Sequence, residues 1–129
     1  MPGLKILVAD DDKMLSKMLC SLLRQAGHLP TPAFDSVTAL MMTMKTPGPD
    51  LVLLDIAMPG GSGLDMLTKL KQRHKTADIP VIIISGNTEV QTPENARQLG
   101  ADRFVPKPVD PSMLLQIIRE VMEERGIAN

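Results

Sequence analysis

A chain of 129 residues with 43% hydrophobic content is the size of one ordinary domain and apolar enough to build a core. A formal net charge of -1 excludes the strongly basic footprint of a nucleic-acid binder, and two Phe without Tyr or Trp argue against a stacking surface for single strands. The single cysteine, Cys20, excludes an intrachain disulfide, no apolar run reaches the ~20 residues of a membrane span, and residues 1–5 lack a signal-peptide layout, so a cytoplasmic location with no membrane attachment is expected.

No internal repeat, low-complexity stretch or linker interrupts the chain, so residues 1–129 read as one domain. Residues 4–9 (LKILVA) form a nearly continuous apolar run, as a strand buried on both faces requires. Residues 12–26 carry Leu15, Met18, Leu19, Leu22 and Leu23 at helical spacing, and Gly27 stands where a helix ends. Residues 28–34 contain Pro30 and Pro32, which place any strand there at a sheet edge. His28, after the helix-ending glycine, is expected in solvent. Residues 36–45 have Val37, Leu40, Met41 and Met44 at helical spacing, with Asp35 or Ser36 as N-cap, and the methionines are expected in core or half-buried packing. Residues 51–54 (LVLL) are the next buried strand, ending at Asp55, and residues 58–63 (MPGGSG) are a turn-rich loop. Residues 64–73 read as a helix with Leu64, Leu67 and Leu70 on one face, and the basic stretch 69–75, with His74, as its solvated end. Residues 81–84 (VIII) form a buried strand ending at Ser85. A short helix is expected over 93–99, capped by Thr92 with Pro93 in the first turn. Residues 102–105 are a short strand just before Lys107. The cap-plus-proline signal recurs at Asp110 and Pro111, opening a helix to about residue 124. Strand and helix thus alternate five times, which predicts an α/β fold with a mostly parallel sheet covered on both faces.

In such sheets the working groups gather at the carboxyl ends of the strands. There the sequence places Asp10, Asp11 and Asp12, then Asp55, Ser85 and Lys107. Two carboxylates about 4 Å apart repel by roughly 4 kcal/mol at an effective dielectric near 20, so the group calls for a cation. Oxygen ligands without His or Cys select a hard ion, Mg²⁺ or Mn²⁺. A hydroxyl and an ammonium complete a cradle for a phosphoryl group, and an Asp carboxylate is a competent nucleophile toward phosphorus. Asp12 is equally well read as the N-cap of the following helix.

The segments ILVADDD (6–12), LVLLDIAMPGGSG (51–63), VIIISG (81–86) and GADRFVPKP (100–108), in this order and spacing, resemble the receiver domain of bacterial two-component response regulators over nearly the whole chain. The resemblance implies a flavodoxin-like, doubly wound (βα)5 fold with a five-stranded parallel sheet in the order 2-1-3-4-5. It implies that Asp55 accepts a phosphoryl group from phosphohistidine on a sensor histidine kinase or histidine phosphotransfer protein. Asp10, Asp11, Asp55 and the backbone carbonyl of Ala57 would bind Mg²⁺, Ser85 and Lys107 would hold the phosphoryl group, and the bond to Pro108 would be cis. Phe104 stands at the position of the aromatic switch residue, so that the surface of the fourth helix, fifth strand and fifth helix would change on phosphorylation and be read by a downstream protein or a second copy. The domain would be a regulatory phospho-acceptor rather than an enzyme, without nucleic-acid binding of its own. Departures from the family are Gly86 where Ala is usual, Pro93 within the usual span of the fourth helix, and Ala57 and Asn87 at positions that tune dephosphorylation. The chain would be a stand-alone receiver or a piece of a longer regulator or hybrid kinase.

Two other readings compete. A haloacid-dehalogenase-like phosphatase would use Asp10 as nucleophile, but Lys13 and Met14 do not continue its motif, no acidic pair follows Lys107, and Asp55 would have no role. A phosphorylation-independent pseudo-receiver usually lacks one member of the acid–Ser–Lys set, which is complete here.

Overall fold

The structure, a computed structural model, describes residues 3–56, 58, 63–86 and 93–126. Strand and helix alternate as β1 (Lys5–Ala9), α1 (Lys13–Gln25), β2 (Leu29–Ala33), α2 (Ser36–Thr43), β3 (Leu51–Asp55), α3 (Gly63–Gln72), β4 (Val81–Ser85), α4 (Pro93–Gln98), β5 (Arg103–Pro106) and α5 (Pro111–Glu124). All strand pairings are parallel, and the order is β2-β1-β3-β4-β5.

The apolar runs are buried on both faces because side chains alternate across the sheet. Ile6, Val8, Leu51, Leu53, Ile82 and Ile84 face α1 and α5, meeting Leu19, Leu23, Leu114 and Ile118. Leu7, Val52, Leu54, Val81 and Ile83 face the other way, onto Ala39 of α2 and Met66, Leu67 and Leu70 of α3.

Helix boundaries follow side-chain chemistry. Asp12, Asp35 and Asp110 are the N-caps of α1, α2 and α5, each accepting a backbone N–H of the first turn. Gly27 follows α1 at φ 90°, a left-handed conformation that glycine adopts without a Cβ penalty. The edge position of β2 fits its prolines. The N–H of Leu29 donates to the Leu4 carbonyl and that of Asp10 to the Ala33 carbonyl, so positions 29, 31 and 33 turn to β1 while Pro30 and Pro32 face outward.

Three expectations need correction. His28 is buried, 7% exposed, because its Nδ1 accepts the Leu4 N–H at 3.4 Å beneath the start of β1. Of the expected stripe on α2, Val37 and Met41 point to solvent, with Met41 60% exposed, while Leu40 packs half-buried against the core, as does Met42. The buried face is Ser36, Ala39 and Thr43, small residues that let the helix lie close to the sheet. Lys71 is no solvated helix end either, since its Nζ donates to the carbonyls of Ala77 and Ile79, both at 2.9 Å, tying α3 to the turn before β4.

Candidate functional site

Each predicted side chain is delivered by a strand end. Asp10 follows β1, and its backbone N–H extends the β1–β2 ladder by donating to Ala33 at 3.0 Å. Asp55 and Ser85 are the last residues of β3 and β4, both buried. Lys107 follows β5, where its N–H donates to the Ser85 carbonyl at 3.0 Å, fixing the two strand ends side by side. The Lys107–Pro108 peptide is cis, and so is Thr46–Pro47.

The parallel register brings these ends to one edge. One carboxylate oxygen each from Asp10, Asp11 and Asp55 lies within 4.8 Å of the others, with Asp11 exposed and its two companions buried. The Lys107 ammonium sits 3.2 Å from Asp10 Oδ2 and 3.4 Å from Asp55 Oδ2. Asp10 Oδ1 accepts the Asp12 N–H at 2.9 Å, while Oδ2 is buried without an aligned hydrogen bond. Asp12 turns away from this group to accept the Leu15 N–H at 3.0 Å as the cap of α1.

Burial pushes the Asp10 carboxyl above its usual range; Asp55 adds to the rise, and the Asp12 N–H and Lys107 oppose it. Burial alone would depress the Lys107 ammonium, but Asp10 and Asp55 outweigh it and raise its pKa. A half-desolvated set of three acids and one ammonium holds surplus negative charge around a buried, hydrogen-bond-deficient oxygen. Hard oxygen donors of that number and spacing fit a Mg²⁺ ion, which uses one or two carboxylates and keeps waters. Ala57 lies outside the described residues, as do Asn87 and Thr92.

Gly63 belongs to the site's support and was read from sequence only as part of a loop. A Cβ there would come within 2.5 Å of the Asp55 carbonyl oxygen and 2.6 Å of Ile56 Cα. Its N–H donates to the Ile56 carbonyl at 2.7 Å, so the start of α3 rests on the backbone that carries Asp55. The glycine that ends MPGGSG just before a helix is the signal. Gly86 is different: an added Cβ would meet Lys107 Cβ at 3.7 Å, an ordinary contact, so alanine would fit. The helix α4 opens at Pro93, as its cap-plus-proline signal predicts. Phe104, half-buried on β5 beside Ile83 of β4, packs against the α2–α3 side of the core.

A doubly wound parallel sheet with acids and a lysine gathered at its carboxyl edge defines an α/β domain of flavodoxin type. The family model of the response regulator receiver domain matches residues 6–119, and the chain belongs to that family. It is a regulatory domain of two-component systems, which signal by phosphorylation. It is 36% identical over 118 residues to the phosphate regulon transcriptional regulatory protein PhoB of Escherichia coli (strain K12), a match covering 92% of this chain and 51% of PhoB. The chain therefore spans about half the length of that relative. Among solved structures, NtrX from Brucella abortus superimposes with a TM-score of 0.85 at 31% identity, covering 97% of this chain and 28% of NtrX. The Francisella response regulator 1452 receiver domain gives 0.84 at 27% identity, with 95% and 98% covered.

Proposed function

We propose that this domain, spanning residues 1–129, is a cytoplasmic phospho-accepting switch whose acceptor is Asp55. The observation that carries the reading is the convergence on Asp55: two further carboxylates within 4.8 Å and an ammonium at 3.4 Å, at the end of a buried strand. The donor is phosphohistidine on a sensor histidine kinase or a phosphotransfer protein. An Asp55 carboxylate oxygen attacks phosphorus, the new P–O bond forms as the P–N bond breaks, and the electron pair returns to the imidazole. Lys107 neutralises charge on the phosphoryl oxygens, and Ser85 donates its hydroxyl to another. Asp10, Asp11 and Asp55 would hold Mg²⁺, with the Ala57 carbonyl as the further ligand that the family resemblance implies. When bound, the ion would offset the repulsion between acceptor and phosphoryl oxygens.

The switch follows from the same charges. Phosphoryl oxygens on Asp55 attract Ser85 and Lys107, which sit on neighbouring strand ends, and Phe104 turns inward toward the space that Ser85 leaves. The face of α4, β5 and α5 then changes, and a downstream protein or a second copy reads it.

The test is acetyl phosphate with Mg²⁺ followed by intact mass. One phosphoryl group is expected on the native chain, and none on Asp55→Asn or in chelator. Labelling that survives in Asp55→Asn and disappears in Asp10→Asn would instead make Asp10 the nucleophile, as in a phosphatase of the dehalogenase type.

A further inference from the structure

At the end of β1 opposite Asp10 lies a cavity of about 450 Å³, bounded by the amino ends of β1 and β2, the end of α1 and the turn after α2. The five residue steps of β1 set it about 16 Å from the acidic site. Its size falls in the range of small-molecule pockets.

The lining combines two chemistries. Leu29 and Met42 contribute apolar surface, and Lys5, Arg24 and Lys45 come to it from three separate elements. Among the described residues none of these three cations is ion-paired. Asp50, the acid adjoining this end of the sheet, accepts the Lys5 backbone N–H at 2.8 Å and does not line the cavity. The buried His28 and the exposed Thr31 also line it. The Nδ1 of His28 accepts the Leu4 N–H, so Nε2 carries the proton. Three exposed cations around one apolar hollow make a positive field that attracts an anion. A bare inorganic anion would leave the apolar walls wet, and a neutral apolar molecule would leave the cations unanswered.

We propose that this cavity binds a small amphipathic organic anion, a carboxylate, sulfonate or phosphate head on an apolar body. The site is independent of the phosphoryl reading. It is tested with 8-anilinonaphthalene-1-sulfonate and, as the uncharged control, N-phenyl-1-naphthylamine, by titration and amide chemical-shift mapping. The sulfonate should saturate one site at least about tenfold more tightly than the control. Shifts should cluster at residues 5, 24, 28, 29, 42 and 45. Arg24→Glu with Lys45→Glu, both exposed positions, should weaken the sulfonate by about tenfold or more while the chain stays folded by circular dichroism. Asp55→Asn should bind it as the native chain does, whatever becomes of phosphorylation. Equal affinity for the two probes, shifts centred elsewhere, or unchanged binding in the charge-reversed variant would each overturn the proposal.

Discussion

Asp10 carries the sharpest conflict in the molecule. Its charge is buried beside another buried carboxylate, with Lys107 as partial compensation. Removing that charge while keeping the acceptor for the Asp12 N–H should relieve the cost. Asp10→Asn is therefore expected to unfold at higher urea than the native chain in chelator. Mg²⁺ should reverse the order: at a hundredfold excess over its dissociation constant the native chain gains about 2.7 kcal/mol, and the variant little of it. Urea midpoints with and without Mg²⁺ check both statements. His28 makes a conflict of opposite sign. Burial holds its pKa below the ordinary 6.5, so the unfolded chain takes up a proton first. The stability it contributes is complete above pH 6.5 and is lost as pH falls below it. His28→Asn should flatten the decline in thermal midpoint over that window, and an unchanged slope would place its cause elsewhere.

At the scale of elements, α2 shows how periodicity misleads. Val37, Met41 and Met44 repeat at helical spacing, yet the helix buries Ser36, Ala39 and Thr43. A helix pressed close to a sheet needs small residues at the contact, so Val37 and Met41 fall on the far side while Leu40 and Met42 pack at the flanks. Ala39→Leu should overpack this contact and cost about 1–3 kcal/mol, whereas Met41→Gln should change stability by no more than about 0.5 kcal/mol. Chemical denaturation of the two variants distinguishes the faces, and equal effects would contradict the packing. The helix ends behaved more simply. Caps at Asp12, Asp35 and Asp110 are local interactions between a side chain and the next turn, so residue order alone narrows them to one or two candidates, and the structure chooses Asp35 over Ser36 and makes Asp12 a cap.

For the whole molecule, one central sheet separates two apolar layers, and a residue such as Leu53 is packed on all sides. Leu53→Ala should cost about 2–5 kcal/mol. Because both layers share the sheet, the loss should appear in a single transition by circular dichroism and by fluorescence of a reporter placed on either face. Two separated transitions would mean that the layers unfold apart.

Residue order alone was enough for the alternation of strands and helices, the cap at Asp110, the edge position of β2 and the polar residues at each strand end. All of these rest on spacing, on proline's missing N–H or on contacts a few residues apart. Tertiary structure decided what distance in sequence conceals: the register that puts Lys107 between Asp10 and Asp55, the close seat of Gly63 on the Asp55 backbone, the burial of His28, and which face of α2 meets the sheet. Each of these depends on how far apart two elements come to rest, and that distance is set by packing across the sheet rather than by neighbours along the chain.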